Sequence, residues 1–193
     1  MAPETAELIE TEETEQIARC LRRGGANGAD LAMLNRLVER YQASLVRYLV
    51  HLLGRREHVE DLVQETWLRV LERGRQYDSR LRFEPWLFAI ARNLALDLLR
   101  RKPAPSCGAS EDPASPDPSP FEATAKTEEA ARLARSLAAL EPLSREALLL
   151  RFQEEMSLLE IARVVQAPVS TVSSRIYRGL AALRTQLEKE ENE

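Results

Sequence analysis

Apolar residues recur every three or four positions along most of this chain, which is the spacing of one face of an α-helix. The pattern predicts a series of helices over residues 12–23, 30–53, 57–73, 83–102, 127–140, 142–152, 157–165 and 171–188. Glycines stand where two of these helices would end, at Gly24 and Gly54. Aromatic residues make up only 5% of the chain, and seven glycines stand against ten prolines. The sequence therefore predicts an all-α fold rather than a sandwich or barrel.

The helix predicted over 83–102 has two distinct faces. One stripe is apolar and suits a core: Leu87, Ile90, Ala91, Leu94 and Leu98. The opposite face carries Trp86 and Asn93, and Arg100, Arg101 and Lys102 crowd the last turn. A ring, an amide and cations can stack a base, read a base edge and hold phosphate. Basic helix ends are also often only solvated, so the helix alone leaves both readings open.

The link before this helix, residues 75–82, is basic and interleaved with aromatics. With Phe83, the arginines Arg80 and Arg82 could cup an unstacked base. Alternatively the link is an ordinary connection and Phe83 belongs to the core.

The helix predicted over 57–73 carries an acidic and amide surface opposite its core stripe. This surface consists of Asp61, Gln64, Glu65, Leu68 and Glu72. It is either a solvated face or a docking site for a basic partner helix, since an exposed leucine framed by acids suits such a partner.

A change of composition divides the chain into two small helical domains. Six of the ten prolines fall between residues 103 and 120, among small and acidic residues. Such a segment cannot bury enough surface to fold, so 104–126 is predicted to be a flexible, Pro-rich, acidic linker. The predicted domains are 12–103 and 127–188, with a disordered acidic tail over 1–11 and a short tail over 189–193.

The second domain contains the sequence pattern of a helix-turn-helix. Ser157 and Glu160 have capping-box spacing, the turn 166–169 is short, and Ser170 is predicted to cap the next helix. Val172, Ile176, Leu180 and Leu183 are predicted to face inward in that helix. Polar and basic residues suited to a major-groove reader face outward or flank that face: Thr171, Ser173, Ser174, Arg175, Tyr177 and Arg178.

Charge and composition narrow the function further. The net charge is -4, yet residues 31–103 hold 14 Lys/Arg against 9 Asp/Glu, so a polyanion would be drawn there. His51 and His58 lack acids or cysteines arranged around them, and the cysteines Cys20 and Cys107 are isolated. We therefore expect no enzyme activity, no metal site, no cofactor and no small-molecule substrate. Without an apolar run long enough to span a membrane, the protein is expected to be cytoplasmic, with no membrane insertion.

Three motifs in order resemble the small extracytoplasmic-function (ECF) group of bacterial RNA polymerase sigma factors, in the sigma-70 family. They are EDLVQE at 60–65, WLFAIARN at 86–93 with Asp97 and Arg100-Arg101, and EIA at 160–162 with PVSTVSSR at 168–175. The resemblance runs from about residue 14 to 187.

The resemblance implies a role for each face. Asp61, Gln64, Glu65 and Leu68 would dock on core RNA polymerase. The link and the outer face of the 83–102 helix would bind and help to melt the promoter's -10 element, through Arg80, Arg82, Phe83, Trp86, Asn93, Arg100 and Arg101. The helix from Thr171 would read the -35 element in duplex DNA. An anti-sigma protein that masks these faces is a further expected partner.

The chain departs from the family pattern in the reading helix. Ser173 stands where relatives often have Arg or Lys, and Gly179-Leu180 stands where Arg-Ala is common. The competing reading is a free-standing two-domain helix-turn-helix regulator, which would grip duplex DNA without polymerase.

Overall fold

The computed structural model describes residues 3–24, 28–101 and 128–190, and every regular element in these ranges is helical. The first half contains α1 (Pro3–Arg23), α2 (Gly28–Leu53), α3 (Val59–Arg73), a 3-10 turn (Gly74–Gln76) and α4 (Phe83–Arg101). The second half contains α5 (Glu128–Ala138), α6 (Pro142–Phe152), α7 (Leu158–Val165) and α8 (Val169–Glu190). The predicted all-α fold in two helical units is confirmed, and the predicted linker lies outside the described residues.

Two predicted boundaries differ from the structure near the start of the chain. Helix α1 begins at Pro3, within the segment predicted to be a disordered tail. Proline suits a first helical turn, and the residues after it are mostly good helix formers. Helix α2 begins at Gly28, so Asp30 lies in its first turn rather than before it.

The first half is held together by an apolar core between α1, α2, α3 and α4. Leu21, Leu45, Val70 and Leu87 are among the side chains that are almost fully buried there. At Gly74 the end of α3 lies against α1: an added Cβ would stand 2.7 Å from both the Cβ and the carbonyl oxygen of Leu21. Only glycine allows this approach without a backbone shift.

An aromatic cluster closes the link between α3 and α4. The Phe83 ring lies 5.6 Å from the rings of Tyr41 and Tyr77 and 5.9 Å from that of Trp86. The Tyr77 hydroxyl donates to the carbonyl oxygen of Leu81 at 2.7 Å. These contacts fix the start of α4 and the position of the link.

The second half is a helix-turn-helix supported by α5 and α6. The predicted capping box is confirmed: Ser157 Oγ accepts from the Glu160 amide and Glu160 Oε2 accepts from the Ser157 amide. Gln166, with φ 53°, ends α7 in the left-handed region. The Thr171 and Val172 amides donate to the carbonyl oxygen of Pro168, so α8 begins one residue before Ser170 and that serine is not its cap.

The inner face of α8 differs from the prediction at one turn. Val172 and Ile176 are buried as predicted, but Leu180 is 39% exposed. The buried position is Gly179, where an added Cβ would lie 2.9 Å from Leu148 Cδ1 of α6. Phe152 at the end of α6 is also 62% exposed.

The two halves pack against each other, α2 on α6 and α4 on α7. As a result α4 buries a second face beside its predicted core stripe, made of Phe88, Arg92 and Ala95. This second buried face was not predicted from the apolar spacing of the helix. The predicted outer face of α4, around Asn93 and Asp97, lies on a different side of the helix from Phe88, Arg92 and Ala95.

Candidate functional site

The acidic face of α3 lies open on the surface. Its core stripe, Leu62, Val63, Thr66 and Val70, is buried, which turns the opposite side outward. The Asp61 side chain is 83% exposed and Leu68 is 54% exposed. Gln64 is also exposed. A leucine beside an acid and an amide, all reachable on one helix, suits an amphipathic partner helix with basic residues.

Two of the acids on this face, Glu65 and Glu72, form ion pairs with Arg69 of the same helix. Arg69 Nε lies 2.8 Å from Glu65 Oε1, and its Nη1 lies 3.1 Å from Glu72 Oε2. Glu65 is therefore partly neutralised within the helix. Asp61 Oδ2 lies 3.9 Å from Nδ1 of His58.

The link between α3 and α4 holds its exposed arginine in place. Arg80 Nε and Nη2 contact the two carboxylate oxygens of Asp78 at 3.0 and 2.7 Å. Hydrogen bonds from the Arg80 side chain and backbone lower the pKa of Asp78 to about 2. The Arg80 side chain stays 86% exposed, so a phosphate could compete for it with Asp78.

Two aromatic residues proposed from the sequence for base contact occupy different environments. Phe83 is 1% exposed inside the aromatic cluster, so the alternative that placed it in the core is correct. Its ring has no free face on which a base could stack. Trp86 is only half-buried, with its ring 5.2 Å from that of Tyr77.

The remaining candidates on α4 follow one another along its outer side. Asn93 is half-buried, and Arg100 and Arg101 are exposed at the end of the helix. Arg100 Nη1 lies 3.5 Å from Asp97 Oδ1. Arg82, just before the helix, lies 3.5 Å from Glu84 and 3.7 Å from Glu160 of α7. This side therefore offers an amide, a partly open indole and several cations.

The outer face of α8 brings most of the residues proposed for DNA reading together. Ser174, Tyr177 and Arg178 are exposed, and Tyr177 is 72% exposed. Thr171, Ser173 and Arg175 are half-buried. At about 100° per residue, Ser173 lies on nearly the opposite side of the helix from Arg175, so those two cannot share one face.

Neither a metal-ligand cluster nor a membrane-spanning helix occurs among the described residues. Within 3–24, 28–101 and 128–190, no group of three or more His, Cys, Asp or Glu side chains could hold a metal ion. No helix in that part of the chain is long and apolar enough to cross a membrane.

Two family models match the chain, one in each half. Sigma-70 region 2 matches residues 37–103, and Sigma-70, region 4, matches residues 130–183. The first match contains α3 and α4, and the second contains the helix-turn-helix.

Curated relatives and solved structures agree with these matches. The chain is 35% identical to the ECF RNA polymerase sigma factor SigE of Mycolicibacterium smegmatis, over 87% of this chain and 67% of the relative. It is 28% identical to the ECF RNA polymerase sigma factor SigW of Bacillus subtilis, over 78% of this chain and 87% of the relative. Among solved structures, CnrH in complex with the cytosolic domain of CnrY matches with a TM-score of 0.61 and 25% identity, covering 90% of this chain and 97% of that one.

A second solved structure supports the fold alone. The sigma factor RpoE of Bartonella quintana, in complex with the anti-sigma factor NepR, matches with a TM-score of 0.59 at 19% identity, covering 80% of this chain and 96% of that one. Both sequence motifs and fold thus lead to one family. The chain belongs to the extracytoplasmic-function group of the sigma-70 family of RNA polymerase sigma factors.

Proposed function

We propose that this sigma factor docks on core RNA polymerase through the acidic face of α3 and directs it to promoters through α4 and α8. The observation that carries the proposal is the exposure of Asp61, Gln64 and Leu68 on a helix whose other side is buried. An exposed leucine framed by acid and amide groups suits the docking of a partner helix. A basic, amphipathic helix of the polymerase would cover it.

The promoter contacts are divided between the halves. We assign the -10 element to Arg80, Arg82, Trp86, Asn93, Arg100 and Arg101. Phe83 supports this surface from below, because its buried ring fixes Tyr77 and Trp86. Bases that unstack from the duplex would be held by the indole and the Asn93 amide, and their binding energy would offset an unstacking cost of a few kcal/mol.

The -35 element is assigned to α8. Ser174, Tyr177 and Arg178 form the exposed reading face, with Thr171 and Arg175 at its edge. Gly179 explains one departure from the family pattern, because it allows α8 to lie against Leu148 of α6. Because Gly179 is buried against α6, we assign it no DNA contact.

The decisive experiment mixes the purified protein with bacterial core RNA polymerase and follows co-elution by size-exclusion chromatography. The double substitution Asp61→Ala/Gln64→Ala removes two exposed polar groups of α3. The matched control, Glu39→Ala/Gln42→Ala, removes the same residue class from exposed positions of α2. We expect wild type and control to co-elute with polymerase, and the α3 variant to elute separately.

The opposite pattern would favour a free-standing regulator. If the wild-type protein fails to bind polymerase yet binds duplex DNA alone, the polymerase assignment is wrong. The DNA assignments are tested separately by promoter-specific transcription in vitro. We expect Asn93→Ala and Arg178→Ala each to reduce it by roughly tenfold, as for a lost contact of 1–3 kcal/mol.

An anti-sigma protein is proposed as a further partner. The two similar solved structures hold their proteins with CnrY and with the anti-sigma factor NepR, respectively. A pull-down with this protein as bait should recover such a partner, and excess core polymerase should displace it if both compete for the same faces.

A further inference from the structure

The two halves meet where acids of the second half face arginines of the first. Arg92 Nε lies 2.8 Å from Glu146 Oε1, Arg82 Nη1 lies 3.7 Å from Glu160 Oε1, and Arg47 Nη2 lies 4.0 Å from Glu154 Oε1. The cation comes from the first half in every one of these three pairs. The acidic partner always comes from α6, α7 or the turn between them.

The Arg92–Glu146 pair is the buried centre of this contact. The two side chains are 10% and 4% exposed. The Tyr48 hydroxyl of α2 donates to the same Glu146 oxygen at 2.8 Å, and the Tyr48 ring meets that of Phe88 edge-on at 5.1 Å. A buried charge that loses its partner is strongly destabilised, so Arg92 and Glu146 each depend on the other half staying in place.

The rim of the contact reaches the proposed promoter surface. Arg82 is one of the cations assigned to the -10 element, and its guanidinium faces Glu160 in the closed arrangement. The other carboxylate oxygen of Glu160 is held at 2.7 Å by the Ser157 amide, so this acid is positioned by the capping box. The second half thereby sets a carboxylate where a phosphate would otherwise bind.

We infer that Arg92, Glu146 and Tyr48 form a latch that closes the two halves in the free chain and restrains nucleic-acid binding by the first half. The acids of α6 and α7 act on the first half as an internal substitute for phosphate. Separation of the halves removes the acidic partners of Arg47 and Arg92. It also takes Glu160 away from Arg82, which keeps Glu84 of its own half at 3.5 Å. The part of this inference that concerns DNA rests on the proposed function, whereas the latch itself does not.

The test uses the full-length protein with Glu146→Gln, which keeps the shape of the side chain but removes the charge that Arg92 requires. Small-angle X-ray scattering measures the radius of gyration, and fluorescence anisotropy measures binding of a short, labelled, AT-rich single-stranded DNA. We expect a larger radius of gyration and DNA binding about tenfold tighter, as when a closed form in tenfold excess is lost. Glu155→Gln is the matched control, because it removes the same charge from an exposed neighbouring position and should change neither quantity.

The exchanged pair Arg92→Glu/Glu146→Arg tests whether Glu146→Gln expands the protein by opening the latch or by unfolding it. It should return both the radius of gyration and the DNA affinity toward wild type, while helical circular dichroism stays unchanged throughout. The inference is overturned if Glu146→Gln keeps the wild-type radius, if it expands without binding DNA more tightly, or if the exchanged pair stays expanded. Failure to co-elute with polymerase would contradict the proposed function instead, whatever the scattering shows.

Discussion

His51 is the titratable residue through which acid would act on the contact between the halves. It is 6% exposed and lines a small pocket with Pro142, Arg145 and Glu146 of the second half. Burial, together with the cations of Arg145 and Arg47, lowers its pKa from 6.5 to about 4. The folded protein therefore holds His51 neutral at pH values where the unfolded chain would already protonate it.

Acidification from pH 7 to pH 5 should reduce the free energy of unfolding. Because the pKa is lower in the folded state, the unfolded state takes up more protons between pH 6.5 and 4, and stability falls by on the order of 1–2 kcal/mol from this group. Glu154 acts in the opposite direction, since burial raises its pKa and the folded state then favours its protonated form. Urea denaturation of wild type and His51→Gln at pH 7 and pH 5 measures the difference, and an equal loss in both proteins would contradict the assignment to His51.

Gly74 should not accept even one added methyl group. The Cβ of Gly74→Ala would lie 2.7 Å from the backbone oxygen of Leu21, which no rotamer change can relieve. Overpacking of this kind costs about 1–3 kcal/mol. Gly28→Ala is the control, because its Cβ meets nothing within 4 Å and alanine favours a helix. Urea denaturation should show a loss for the first variant and no loss for the second.

At the scale of single helices, α4 shows which buried positions can be predicted from the sequence and which cannot. Its start at Phe83 and the apolar stripe at Leu87, Ile90 and Ala91 follow from local spacing, and the structure confirms them. The burial of Phe88, Arg92 and Ala95 could not be read from that spacing. It depends on a carboxylate 54 positions further along the chain, and periodicity within one helix carries no information on such a partner.

The same limit explains the residues misplaced in the candidate site. From the sequence alone, Phe83 fits either an open loop or a core. It is buried because its ring packs against Tyr41, which lies on a different helix. Likewise Leu180 has the apolar character of a core position, yet Gly179 takes the inner side because α6 approaches too closely for a side chain. The three family motifs could be recognised in the sequence because each consists of short local runs of residues.

The two serines near the starts of α7 and α8 should respond differently to truncation. Ser157→Ala removes the side-chain acceptor of a formed capping box and should cost about 1 kcal/mol. Ser170→Ala lies within the first turn of α8, which begins at Val169, and should change stability by less than about 0.5 kcal/mol. Thermal denaturation compares the two, and an equal loss would mean that Ser170 also caps its helix.

For the whole molecule, the contact between the halves combines one buried ion pair with two half-buried ones. Salt screens the pairs of Arg47 and Arg82 far more than the buried pair of Arg92. We therefore expect the wild-type protein to keep its radius of gyration between about 0.1 and 0.5 M NaCl. The Glu146→Gln variant should expand further over that range. Expansion of the wild type in scattering would show that the two half-buried pairs, and not the buried one, hold the halves together.

The order of synthesis gives the Arg92–Glu146 pair a further consequence. Arg92 leaves the ribosome 54 residues before its partner, which at 5–20 residues per second is an interval of roughly 3–10 s. Throughout that interval the first half exists without the acids that later cover its arginines. We therefore expect each newly made molecule to bind anions most readily before its second half has been made. The closed arrangement that restrains this binding forms only after the second half has folded.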